Sequence, residues 1–156
     1  MTGNLWRLAI AAAAFVGSHM ALSGSALRPR LIKALGEWPF RGLYSAVSLA
    51  TFIWMFKAFG NAPFMELWPS TKALDILAVV IMLPASILLV CGLTTANPSG
   101  IALDLIREGR DTGILKVTRQ PVMWGVGLWA LAHMAVNGDI ASLIFFAALA
   151  VFALAG

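Results

Sequence analysis

Charge is scarce in this sequence. Eleven lysines and arginines and seven aspartates and glutamates make up only 12% of 156 residues, against roughly 25% in a soluble domain. That shortage excludes the charged surface of an ordinary soluble enzyme. The one cysteine, Cys91, lies inside an apolar run. A lone cysteine excludes an intrachain disulfide and a CxxC site, and this one reads as a small apolar residue. No GxGxxG, Walker or HExxH pattern occurs, so the common phosphate-binding and zinc-protease signals are missing. Only two histidines exist, His19 and His133. Neither has a carboxylate or thiolate near it in the chain, which makes a poor zinc or di-iron set. The net charge of +4 comes from basic residues flanking apolar runs. No basic helix or aromatic-basic platform is legible, so these are topology charges and no nucleic-acid partner is expected.

Apolar residues dominate instead, at 60% of the chain with a mean hydropathy of +0.87. A bilayer core about 30 Å thick needs about 20 apolar residues of helix. Five segments approach that length: 5–27, 42–59, 73–95, 122–137 and 140–155. The expectation is an all-α, polytopic transmembrane bundle of about five helices in one domain, 1–156. The first segment exceeds the apolar stretch of a signal peptide and is expected to be a retained helix. Pro84 lies mid-way in the third segment, where it removes a backbone hydrogen bond and predicts a kink. Pro121 suits the first turn of the fourth, because a missing N–H costs nothing there. Asn137-Gly138-Asp139 predicts a tight turn that makes the last two helices antiparallel neighbours. No polar or basic residue closes the fifth segment at Gly156, which leaves a continuation of the chain open.

Lysine and arginine counts orient the bundle. The loop after the first segment holds Arg28, Arg30, Lys33 and Arg41, and that after the third holds Arg107, Arg110, Lys116 and Arg119. The opposite side holds Arg7, Lys57 and Lys72. Eight against three places the N-terminus outside and the C-terminus in the cytoplasm. Trp6, Trp38, Trp68 and Trp124 lie near segment ends, where an aromatic belt forms. Asp75 and Asp139 stand at helix starts and read as structural, favouring the helix dipole. Glu66 lies in a proline-rich outer loop with no catalytic partner in view.

Both histidines fall inside membrane segments. A polar ring in hydrocarbon is costly unless it faces the bundle and finds a partner, so each is either a functional group or an interhelical hydrogen-bonding group. Around His19 stand Ala14, Gly17, Ser18, Ala21 and Gly24, small residues that admit a neighbouring backbone or a flat ligand. Trp129, His133 and Asn137 are spaced by four and share one helix face. Trp129 can stack on a planar ligand, and Asn137 can hydrogen-bond the ring or cap the helix. Counted from the cytoplasmic segment ends, the two histidines differ in depth by about 6 Å at 1.5 Å per residue. Two imidazoles at similar depth can face each other across a porphyrin, as axial ligands of haem iron. Arg119 is placed to bind a haem propionate or a lipid phosphate, or to serve as a topology charge.

The stretch Val117-Thr118-Arg119-Gln120-Pro121-Val122-Met123-Trp124-Gly125, running into Leu128-Trp129-Ala130-Leu131-Ala132-His133 and Asn137-Gly138-Asp139, resembles the signature of the NnrU family. Phe15-Val16-Gly17-Ser18-His19, followed by Leu27-Arg28, fits the same family. That family is similar to the plastid 15-cis-zeta-carotene isomerase, a membrane enzyme that uses haem b. The resemblance implies haem b, with iron ligands at the positions of His19 and His133. Bacterial members are associated with nitrogen-oxide respiration, which implies a place in a bacterial inner membrane. Two residues depart from the pattern. Gln120 stands where the family has the histidine of Arg-His-Pro, and Ala130 stands where the isomerase has a cysteine.

Four functions compete at this point. The first is a haem b protein with a redox or accessory role in nitrite and nitric oxide metabolism, partnered by a membrane reductase. The second is a haem-dependent cis-trans isomerase acting on a carotenoid, a hydrophobic substrate reached from the lipid bilayer. The third, a membrane methyltransferase, is weakened by the loss of the Arg-His-Pro histidine. The fourth is a non-catalytic accessory bundle whose histidines only pack.

Overall fold

The computed structural model describes residues 4–24, 27–94 and 113–155. Six α-helices occur among them: α1 (Leu5–Ser23), α2 (Leu27–Leu35), α3 (Glu37–Gly60), α4 (Lys72–Thr94), α5 (Pro121–Val136) and α6 (Ile140–Ala155). A single 3-10 turn, Gly113–Lys116, leads into α5. By length and composition α1, α3 and α4 can each cross a membrane, while α5 and α6 are apolar helices of 16 residues. The chain is a multi-pass membrane protein.

Four of the helix starts have a local side-chain cause. Asn4 Oδ1 accepts the Arg7 N–H at 2.8 Å, closing the first turn of α1. Thr71 Oγ1 accepts the Leu74 N–H of α4 at 3.3 Å, and the Ser70 hydroxyl donates to Asp75 at 2.6 Å. Pro121 opens α5. Asp139 Oδ1 accepts the Ser142 N–H of α6 at 3.0 Å from a buried position. Such caps satisfy N–H groups that a helix start leaves unpaired. Asp75 and Asp139 are therefore structural, as expected.

Two expectations about the first half are corrected. The first helix ends at Ser23 and not at residue 27, and the basic stretch after it is not a loop. It is α2, which carries Arg28, Arg30 and Lys33. Gly36 turns α2 into α3 at a φ of +87°, a conformation with little cost only for glycine. Its N–H donates to the Ile32 carbonyl at 2.8 Å, and its carbonyl accepts from Phe40 at 3.2 Å. Because the turn is so short, α3 begins five residues before position 42.

The chain alternates across the bundle. Phe15 meets Phe52, and His19 meets Tyr44, so α1 and α3 are antiparallel. Phe15 and His19 also touch Phe152 near the end of α6, whereas Phe59 stacks on Phe145 near its start. Helix α6 is thus parallel to α1 and antiparallel to α3. It is also the most enclosed helix, with Ala141, Phe145, Phe146, Ala148, Leu149, Ala150 and Ala153 buried. Helix α5 packs on its other side, and α4 packs on α5.

Lipid tails are as apolar as these side chains, so close packing rather than hydrophobicity holds such helices together. At the α4–α5 contact a Cβ on Gly92 would lie 3.0 Å from the Val122 nitrogen, and one on Gly125 would lie 3.0 Å from the Ala85 carbonyl oxygen. The backbones meet there because no side chain intervenes. The small-residue stripe of α1 behaves differently. A Cβ on Gly17 would meet nothing within 4 Å.

On one membrane face, the segment between α3 and α4 folds onto the α5–α6 turn. Gly138 accepts backbone hydrogen bonds from Leu67 (2.7 Å) and Trp68 (3.2 Å), and Ile140 donates to the Met65 carbonyl (3.0 Å). The Trp68 indole N–H donates to the Ala135 carbonyl at 3.2 Å. The opposite face gathers the α1–α2–α3 junction, the entry to α5 and the end of α6. Arg28, Arg30, Lys33, Arg41, Lys116 and Arg119 lie there, and Arg7, Lys57 and Lys72 lie on the first face. Arg107 and Arg110 fall outside the described residues.

Candidate functional site

His133 sits on the inner side of α5 between two aromatic rings. Its centroid is 4.5 Å from that of Trp129 and 5.0 Å from that of Phe146. Its Nδ1 lies 2.9 Å from the Trp129 carbonyl oxygen. A carbonyl only accepts, so Nδ1 carries the proton. In the neutral ring Nε2 then holds an unshared pair, the state in which imidazole ligates a metal. The spacing of four that put Trp129 and His133 on one face produces both contacts, through the carbonyl and through the ring.

His19 is held from the neighbouring helix. The Tyr44 hydroxyl lies 2.7 Å from its Nδ1 and 3.3 Å from its Nε2, and the Phe152 ring meets it edge-on at 4.3 Å. Tyr44 is the chain's only tyrosine. Sequence reasoning passed over it, although a single phenol in an apolar segment signals a hydrogen bond to be made in hydrocarbon. Ser48, one turn further along α3, buries its hydroxyl close to the Tyr44 phenol.

The structure does not bring the two histidines face to face. Both lean on α6, but on Phe152 and Phe146, six residues apart, which separates them by about 9 Å along that helix. Ending α1 at Ser23 has the same effect, since it moves His19 closer to its membrane face. The separation therefore exceeds the expected one.

The remaining candidates divide between the two ends of α5. Asn137 caps the helix: its side-chain amide and its backbone N–H both donate to the His133 carbonyl at 2.9 Å. Arg119 is exposed at the other end, beyond Pro121. The twelve residues from Pro121 to His133 span about 18 Å, so Arg119 and His133 do not share a small site. Gln120 is also exposed, and its N–H donates to Thr118 Oγ1 at 3.2 Å. Ala130 is fully buried. Among the described residues no group of three histidine, cysteine or acidic side chains could hold a metal ion.

A family model described as NnrU protein matches residues 7–156, nearly the whole chain. The chain belongs to the NnrU family. No curated protein and no solved structure matches it. The match spans His19, Tyr44, the α2 cations and all of α5 and α6, so the arrangement described above lies inside the NnrU region.

Proposed function

We propose that this NnrU protein binds haem b in the bacterial inner membrane, with its N-terminus outside, and serves a redox or accessory role in nitrogen-oxide metabolism. The observation that carries the reading is the state of His133. Its Nδ1–H is committed to the Trp129 carbonyl, which leaves Nε2 as a ligand beside two flat apolar rings. The family's association with nitrogen-oxide respiration supports the metabolic part.

Taken one at a time, the residues fit the group. His133 would supply a nitrogen ligand, and the Trp129 carbonyl would fix its tautomer. His19 would supply the second, and because the Tyr44 hydroxyl lies 2.7 Å from Nδ1 and 3.3 Å from Nε2, ligation through Nε2 would need Tyr44 to hold Nδ1 alone. As a pair they are offset along α6, so joint ligation of one iron needs α1 shifted from the arrangement described. Haem iron would contribute a one-electron couple, and would take a small ligand only where one imidazole leaves it. The chain's own contribution is a dry aromatic setting, a fixed imidazole tautomer and a phenol that orients the second imidazole.

The second reading, a haem-dependent carotenoid isomerase, uses the same histidines. Buried Ala130 offers no thiolate in place of the isomerase's cysteine, which ranks this reading lower. A non-catalytic accessory bundle ranks third.

The test is an absorption spectrum of the detergent-purified protein, oxidised and reduced, after expression with ample haem. A b-type Soret and α band, lost in His133→Ala and altered or lost in His19→Ala, is the expected result. A colourless wild type sinks the reading and leaves the accessory bundle. Conversion of a poly-cis carotene in cells would move the conclusion to the isomerase.

A further inference from the structure

We infer that α2 lies in the membrane surface and binds the phosphate headgroups of anionic phospholipids. This goes beyond the haem reading and does not depend on it. Helix α2 has nine residues, about 14 Å in length, and cannot cross a bilayer core of about 30 Å. It joins the ends of two helices that can span, α1 and α3, so it lies at headgroup depth. None of its residues is buried within the protein.

Its two sides differ in chemistry. Leu31 and Ile32 are half-buried and Leu35 is exposed, while Arg30 and Lys33, three residues apart, share an exposed face. Helix α2 holds no acidic residue. The nearest carboxylate in the chain, Glu37, is taken by Arg41 at 2.8 Å, the one ion pair among the described residues. Arg30 and Lys33 thus offer two cations without a carboxylate partner among the described residues, at the level where lipid phosphates lie. Trp38, 75% exposed in the first turn of α3, has the Arg41 guanidinium 5.4 Å from its ring. An exposed indole next to cations is the composition of an interfacial anchor. Charge complementarity selects a surface rich in anionic headgroups over a zwitterionic one.

The test uses the full chain in phosphatidylcholine vesicles carrying trace dansyl-labelled phosphatidylglycerol or dansyl-labelled phosphatidylcholine, read by energy transfer from tryptophan. The expected result is enrichment of labelled phosphatidylglycerol over labelled phosphatidylcholine. Each cation removed should weaken that association about fivefold, so Arg30→Gln with Lys33→Gln loses roughly 25-fold. Lys57→Gln, on the opposite membrane face, should lose nothing, and Arg30→Lys should keep most of the effect. Equal enrichment of the two lipids on the wild type, or an unchanged double variant, overturns the inference and returns the patch to a protein partner. Should the double variant fail to fold, salt decides on the wild type alone. Screening shortens from about 30 Å at 0.01 M to about 3 Å at 1 M, so a preference that ignores salt also overturns it.

Discussion

The contact between the α3–α4 segment and the α5–α6 turn is open to a sharp test at Gly138. A Cβ built there overlaps the Trp68 carbonyl oxygen and comes within 2.7 Å and 2.8 Å of the indole Cδ1 and Nε1. Gly138 has no positive φ, so alanine is not strained by its backbone. The whole cost is the contact. A carbonyl oxygen cannot rotate away, so the segment around Trp68 must lift. Lifting it breaks the hydrogen bonds from Leu67 and Trp68 to Gly138, from Ile140 to Met65, and from the indole to Ala135. At about 1 kcal/mol net for each bond, complete loss of four costs about 4 kcal/mol. Partial repair with water at the membrane surface lowers that to about 2–4 kcal/mol. Gly17→Ala is the control, because its Cβ meets nothing within 4 Å. That change should be neutral or stabilise by up to about 1 kcal/mol through helix propensity. Thermal unfolding of both variants in the same detergent, with limited proteolysis of the 61–71 segment, reads the difference. Equal melting temperatures, with no gain in cleavage for Gly138→Ala, would refute the docking of Trp68 on the turn.

Three further outcomes follow from single contacts. Tyr44→Phe removes the hydrogen bond to His19 and should destabilise by about 0.5–1.5 kcal/mol in detergent unfolding, while His133→Ala leaves that bond intact. Gly125→Ala forces a methyl to within 3.0 Å of the Ala85 carbonyl oxygen and the Leu89 nitrogen. Parting α4 from α5 should cost about 1–3 kcal/mol, read as a lower melting temperature, whereas Gly42→Ala, which meets nothing, should cost almost nothing. Asp139→Ala removes the cap of α6 at about 1 kcal/mol, and Asp139→Asn should recover most of it.

The family and the membrane character were legible because they rest on local pattern. Apolar runs report spans, cations report the face they flank, and Pro121 and Asn137-Gly138-Asp139 mark helix ends through backbone chemistry that neighbours do not alter. All five expected segments lie within one residue of an observed helix boundary at one end or both. The 27–41 stretch was misread because a nine-residue helix is too short for a convincing apolar period, and its cations hid that period. Trp129 and His133 were assigned to one face correctly, since a spacing of four is internal to a helix. The partnership of Tyr44 with His19 was not legible, because it joins residues 25 apart in the chain on different helices.

What the sequence by itself determined, then, is the membrane as solvent, the long apolar helices with most of their ends, and two imidazoles placed inside them. Tertiary structure alone decided that α6 runs between α1 and α5, that the histidines lean on rings six residues apart, and that Trp68 closes over Gly138. The physical reason is range. Helix formation is settled by hydrogen bonds four residues apart, whereas depth and facing between helices depend on which small residues let two backbones meet, and glycines look alike in sequence whether they touch a neighbour, as Gly125 does, or nothing, as Gly17 does.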